Sequence, residues 1–286
     1  MKFSLIMATV GRENEVIAFL KSLKQQSYKD FELIIVDQND TDFLRPIVEV
    51  YKEAFCIKHI RYSKKGLSLA RNRGLQEAEG QIIAFPDDDC LYSNGLLLNV
   101  CRFFEKETKV DAISVAWHDA ISGNRIKNFG KREGVINRLN IWTQVSSITL
   151  FIKHHVFHHI KGFDETLGVG PHSKWKGAED KDFPLRLLDA GFTMHYVPHI
   201  IVYHPAPVLL TKDLTQQQKK ELIRKTFIYS AAAGYVMKNH QYSLIIKLGT
   251  IAIGIAKTVL SILQFKPFLV RIRIASIIGR LHGFLN

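Results

Sequence analysis

Three consecutive carboxylates, Asp87, Asp88 and Asp89, follow the apolar run of residues 81–86. Adjacent like charges repel and lose hydration, so such a cluster persists most readily where a divalent cation or a set of donors compensates it. One reading is a metal ion held beside a nucleotide at the C-terminal edge of a sheet, where open α/β folds bind ligands. The other is an acidic turn that caps a helix starting near Ser93. A second acidic pair, Glu179 and Asp180, opens a helix just after Gly177. A carboxylate there can serve as a general base, or simply complement the helix dipole.

The surrounding pattern predicts elements that would bring these groups to one edge. Short apolar runs at residues 3–8, 31–36, 57–62 and 82–85 alternate with helical patterns near 13–25, 42–54 and 67–79. That alternation marks a parallel sheet with crossover helices. A helix near 93–106, a strand at 112–116, a polar loop over 119–140 and a strand at 147–152 come next. Two strands, 193–197 and 200–203, close the core before Pro205 and Pro207. The expected class is α/β, a Rossmann-type mostly parallel sheet with flanking helices over residues 1–210. A basic amphipathic helical region follows over 211–286.

Charge separates the two regions. Of the net +12, residues 211–286 supply +10, with 12 Lys+Arg against 2 Asp+Glu. A basic, apolar tail suits an anionic membrane surface. Its aromatics are not spaced for base stacking, so no nucleic-acid partner is expected. Residues 244–263 are long enough to span a bilayer, yet Lys247, Thr250, Gly254, Lys257, Thr258 and Ser261 recur at three- and four-residue spacing. They share one helix face, which favours a helix lying in the membrane interface over a span or a packed soluble cap. Three cysteines, Cys56, Cys90 and Cys101, lack metal-type spacing, which points to a reduced, intracellular protein without disulfides or zinc. The N-terminal apolar run is too brief for a secretory signal.

Five segments fall where the loops of such a sheet converge: Thr9-Val-Gly-Arg12, Asp37, the stretch 66–72, Asp87 to Asp89, and Glu179-Asp180. Over roughly residues 3–205 this ordered set resembles the family 2 glycosyltransferases of the GT-A fold. The resemblance implies a nucleotide-diphosphate-sugar donor, a UDP-sugar above others, a divalent Mn2+ or Mg2+ ion, and transfer with inversion. It assigns Thr9, Arg12, Asp37, Arg71, Asp87 and Asp88 to the nucleotide side and Asp89 to direct metal contact. It also assigns Asp180 the role of base and Glu179 a place beside the acceptor. His204 ends a strand where relatives often place a metal- or diphosphate-contacting histidine. Trp175 can stack on a sugar face or fill a core.

These implications define an expected inverting, metal-dependent glycosyltransferase, peripheral on the cytoplasmic face of the plasma membrane. Its expected acceptor is a saccharide linked to a polyprenyl diphosphate, in bacterial surface polysaccharide synthesis. Two rivals remain: a nucleotidyltransferase acting on sugar phosphates, and a non-enzymatic membrane adaptor with a degenerate nucleotide fold. The first needs a Gly-rich, basic phosphate loop after the first strand, which Thr9-Val-Gly-Arg12 matches poorly. The second predicts lost carboxylates, and both acidic groups are present.

Overall fold

A strand buried on both faces reads as a continuous apolar run, and Phe31–Asp37 is one: all seven residues are buried. The structure, a computed structural model, describes residues 1–127, 129–206 and 214–286. The first elements are β1 (Phe3–Thr9), α1 (Asn14–Lys24), β2 (Phe31–Asp37), α2 (Leu44–Lys52), β3 (Cys56–Arg61), α3 (Leu67–Leu75) and β4 (Ile82–Ala84). Then come β5 (Leu91–Tyr92), α4 (Leu96–Lys106), β6 (Ala112–Asp119), β7 (Gly134–Val135), α5 (Ile141–Gln144) and β8 (Leu150–Lys153). The chain ends with α6 (Glu179–Asp189), β9 (Met194–His204), α7 (Gln216–Asn239), α8 (Leu244–Leu263) and α9 (Pro267–Leu285).

The strand order is β3-β2-β1-β4-β8-β6-β9-β5, with β7 paired to β9. Neighbours among β3, β2, β1 and β4 are parallel, which brings the ends of β1 and β2 to one edge. β8 is antiparallel to both β4 and β6, and β9 is parallel to β6. The two strands expected at 193–197 and 200–203 are a single strand, β9. Its register against β6 shifts between Val197 and Ile201, where Pro198 cannot donate to the ladder.

The chain divides into two compact units, Met1–Phe163 with Phe183–Pro207, and Asp164–Asp182 with Val208–Asn286. The boundary drawn from sequence at residue 210 is thus crossed by one segment, Asp164–Asp182, which belongs with the helices.

In the first unit, helix α3 lies so close to the sheet that a Cβ on Gly74 would sit 2.4 Å from Ile6 Cγ2. Near the start of β2 stands a buried charge, Glu32. Ser4 Oγ donates to it at 2.6 Å, the Glu79 amide at 2.9 Å, and Lys58 Nζ lies 3.0 Å away. Burial pushes this carboxyl up, but the Ser4, Glu79 and Lys58 contacts outweigh it and hold the group below the usual range.

In the second unit, α7 and α9 meet backbone to backbone at small residues. A Cβ on Gly283 would lie 2.0 Å from the Ala231 carbonyl oxygen, and one on Gly279 2.3 Å from that of Phe227. Such close approach is available only to residues without side chains at the contact. Of the α8 stripe that sequence spacing assigns to one face, the small and hydroxyl residues are turned toward α9 while Lys257 stays exposed. Gly254 packs on Ile277 of α9, and Thr258 and Ser261 are buried. Ile245, Leu248, Ile253 and Ile262 instead stand more than half exposed.

Candidate active site

Register explains how distant residues meet at the sheet edge. β1 ends at Thr9 beside Asp37, the end of β2. A parallel bridge between Ala8 and Asp87 carries the chain after β4 to the same edge. The antiparallel pairing of Leu91 with Tyr203 then sets His204 opposite Cys90, next to the aspartates.

The ligand atoms of Asp87, Asp89 and His204 all lie within 4.8 Å of one another. His204 Nε2 is 2.9 Å from Asp89 Oδ1 and 3.8 Å from Asp87 Oδ2. Its Nδ1 is 2.8 Å from the Pro205 carbonyl, which can only accept, so Nδ1 carries the proton and Nε2 turns toward the carboxylates. Asp89 Oδ1 is buried, with His204 Nε2 as its near neighbour. Two carboxylates and an imidazole converging on one point, with the second ring nitrogen tied to a backbone carbonyl, fit a divalent cation.

Cations of the chain compensate the triplet as well. Arg12 Nη1 pairs with Asp89 and lies 3.3 Å from Asp88 Oδ1, while Arg71 Nη2 lies 2.8 Å from Asp87 Oδ1. For Asp89, burial raises the carboxyl, yet His204 and Arg12 overcome it and hold the group at about 2. Burial wins at Asp88, which is pushed up to about 6 despite the Thr9 hydrogen bond and Arg12. His204 is shifted upward: burial opposes its charge, but Asp89 and Asp87 favour it more. Cys90 is fully buried, burial pushes its thiol well up, and it serves packing.

Not every residue assigned to the nucleotide presents surface to a ligand. Arg12 and Asp87 do, with 43% and 34% of their side chains exposed. Thr9 is buried, and its hydroxyl donates to Asp88 Oδ2 at 2.8 Å. Asp88 is therefore a strut between Thr9 and Arg12. Asp37 is wholly buried and accepts from the Asn39 amide and side chain, with His59 Nε2 at 3.0 Å and Arg61 Nη1 at 3.2 Å. Arg71 is 1% exposed, reaches Ser147 Oγ at 2.9 Å and lies over the Phe163 ring. The side chains of Thr9, Asp37 and Arg71, which the resemblance assigns to the nucleotide side, are thus buried and bonded to protein partners in this structure.

Arg61, His59 and Ser147 escaped the sequence reading. A signal existed for Arg61: in a parallel pair, the residue ending β3 lies beside the residue ending β2, and the register is Asp37 to Arg61. Asn72 exchanges hydrogen bonds with the Phe163 backbone at 2.9 and 2.7 Å and so serves packing.

In the second unit, Glu179 and Asp180 open α6. Glu179 is buried, while Asp180 keeps a quarter of its side chain exposed, with Lys181 Nζ 3.1 Å from Oδ2. Trp175 is 6% exposed, its ring stacked on Tyr235 at 4.7 Å with His282 at 5.9 Å. Of the two readings open for Trp175, the ring takes the core one in this structure.

The sheet and its acidic edge are those of a glycosyltransferase of the GT-A fold. Residues 1–349 of Staphylococcus aureus TarS, solved with UDP, match with a TM-score of 0.63 at 20% identity, over 98% of this chain and 89% of that one. The chain belongs to glycosyl transferase family 2, whose model matches residues 4–163. Among curated relatives, it is 29% identical over 183 residues to the minor teichoic acid biosynthesis protein GgaB of Bacillus subtilis, covering 60% of this chain and 20% of that protein. It is 35% identical over 106 residues to the UDP-Glc:α-D-GlcNAc-diphosphoundecaprenol β-1,3-glucosyltransferase WfaP of Escherichia coli, covering 36% of this chain and 41% of WfaP. The matched stretch spans 17% to 20% of the length of several other curated relatives and GgaB.

Proposed function

We propose that this enzyme is an inverting, metal-dependent glycosyltransferase that moves a sugar from a UDP-sugar to a lipid-linked saccharide in bacterial surface polysaccharide synthesis. The observation that carries the reading is the convergence of Asp87, Asp89 and His204 at the sheet edge. Asp87, Asp89 and His204 would hold a Mg2+ or Mn2+ ion, which would supply positive charge to offset that of the diphosphate leaving group. Arg12, exposed at the same edge, meets phosphate oxygens with a charge-assisted hydrogen bond. Thr9, Asp88 and Arg71 act through others, fixing Arg12 and Asp87 in place. Asp180 takes the proton of the acceptor hydroxyl as its oxygen bonds the anomeric carbon on the face opposite the departing diphosphate, and Glu179 orients the acceptor.

Support for the donor comes from the UDP complex of TarS, and support for a diphosphate-lipid acceptor from the reaction for which WfaP is named. The proposed location is the cytoplasmic face of an anionic membrane. Its support is α8, with a mean hydropathy of 1.8 in its most apolar window and exposed apolar side chains along with the exposed Lys257. One-sided exposure of that kind fits a helix lying in the interface.

A thermal-shift panel of UDP-, GDP- and dTDP-sugars with Mn2+ tests the proposal. UDP-sugars should raise the Tm most, and chelator should abolish the gain. Equal stabilisation by all nucleotides with or without metal would contradict it.

A further inference from the structure

The turn bearing Glu179 and Asp180 is built on the C-terminal helices. We infer that α7 orients this turn through Tyr229, Tyr235 and His240, and that His240 is a positioning residue for the acceptor-side chemistry; the functional part of the inference rests on Asp180 as the base. Three contacts, all inside the second unit, bracket the acidic pair. Before it, Trp175 lies stacked on Tyr235. Gly177, at φ +147°, passes so close to α7 that an added Cβ would be 2.6 Å from Tyr229 Cδ1. After it, His240 Nε2, at the end of α7, is 3.0 Å from Asp182 Oδ1. Both of these side chains are buried, at 7% and 6% exposure.

Between the anchors the backbone adopts a shape it would not hold alone. Ala178 has φ +63°, a left-handed conformation that residues with a Cβ seldom take. Its carbonyl accepts the Lys181 and Asp182 amides at 3.1 and 2.9 Å, which starts α6. A turn of this kind persists when its surroundings over-determine it. Helix geometry then links Asp182 to Asp180. Residues two apart point about 200° from one another around a helix axis, so fixing Asp182 against α7 turns Asp180 to the opposite side. The buried imidazole–carboxylate contact thus sets the direction of the proposed base, as a supporting shell does for a catalytic group.

Hydrogen exchange of the full-length protein, read on a peptide covering residues 176–183, tests the inference. His240→Ala should speed exchange there by about 10-fold or more, while His240→Gln, which restores an N–H donor at similar reach, should return it close to wild type. Tyr229→Ala, at a half-exposed position, should give a smaller rise and serves if the alanine variant at 240 fails to fold. UDP titrated with Mn2+ should bind all these variants as it binds wild type. With the UDP-sugar that raises the Tm most in the panel above, kcat for transfer should fall about 10-fold in His240→Ala with donor KM unchanged. Wild-type exchange and kcat in His240→Ala, or a glutamine variant as defective as the alanine one, would overturn the inference. Asp180→Asn separates it from the base assignment: full transfer by that variant would remove the base, while the exchange data would still decide the anchoring.

Discussion

The sheet edge and helix α8 treat their surfaces in opposite ways. At the edge each carboxylate of the triplet has a cation of the same chain beside it: Arg71 at Asp87, Arg12 at Asp88, and Arg12 with His204 at Asp89. On α8, apolar side chains stand in the open, and its 18-residue apolar window is only 11% buried. Matched charge around a small acidic cleft suits a polar ligand that slots into prearranged dipoles and ions. Unmatched apolar area suits a partner without shape of its own, and a lipid surface answers that description. The proposed donor chemistry and the proposed membrane attachment thus rest on surfaces of different character, so each can be broken alone.

The largest effect is expected on the acceptor side. Asp180→Asn should retain UDP binding yet lose transfer by about 10²-fold or more, as when a general base is removed. Steady-state transfer beside a UDP titration measures both, and near-normal transfer would return Asp180 to a capping role.

A smaller effect, confined to α8, should follow from Ile245→Glu combined with Ile262→Glu. Both side chains are more than half exposed, so the fold should tolerate the change. Each isoleucine moved into lipid contributes about 1.5–3 kcal/mol, so flotation with anionic vesicles should weaken by at least ~10-fold while UDP binding holds. Unchanged flotation would remove α8 from the membrane. Truncating the chain before α8 is a poorer test, because it also strips α9, whose His282 packs on Trp175.

The smallest effects compare how the two units pack. Gly74→Ala would press on Ile6 and Gly283→Ala on the Ala231 backbone. Overpacking of this kind costs about 1–3 kcal/mol, and a methyl against a side chain can be relieved more readily than one against backbone. Chemical denaturation should therefore show Gly283→Ala to be the more damaging; the reverse order would mean that the helical contact is softer than its geometry implies.

What was legible in the sequence was whatever is fixed locally. Asp87 to Asp89 follow a strand, His204 ends one, and their meeting follows from strand ends sharing an edge. The inward turn of Thr9 and Arg71 was not legible, because it depends on Asp88 and Ser147, far away in the chain. Periodicity placed Gly254, Thr258 and Ser261 of α8 on one face correctly, but it carries no information about which face is covered; α9 decides that. The choice left open for Trp175 could not be made from sequence for the same reason, since its partners Tyr235 and His282 lie sixty and more residues ahead.

We propose that Asp87, Asp89 and His204 hold the divalent ion used with the donor. Titration of Mn2+ into the full-length protein with UDP, followed by the electron paramagnetic resonance of the free ion, tests it most directly. Wild type should bind one Mn2+ per chain, and Asp89→Ala and His204→Ala should each lose that ion while the folded state persists. Stoichiometric Mn2+ binding that survives both substitutions would contradict the claim.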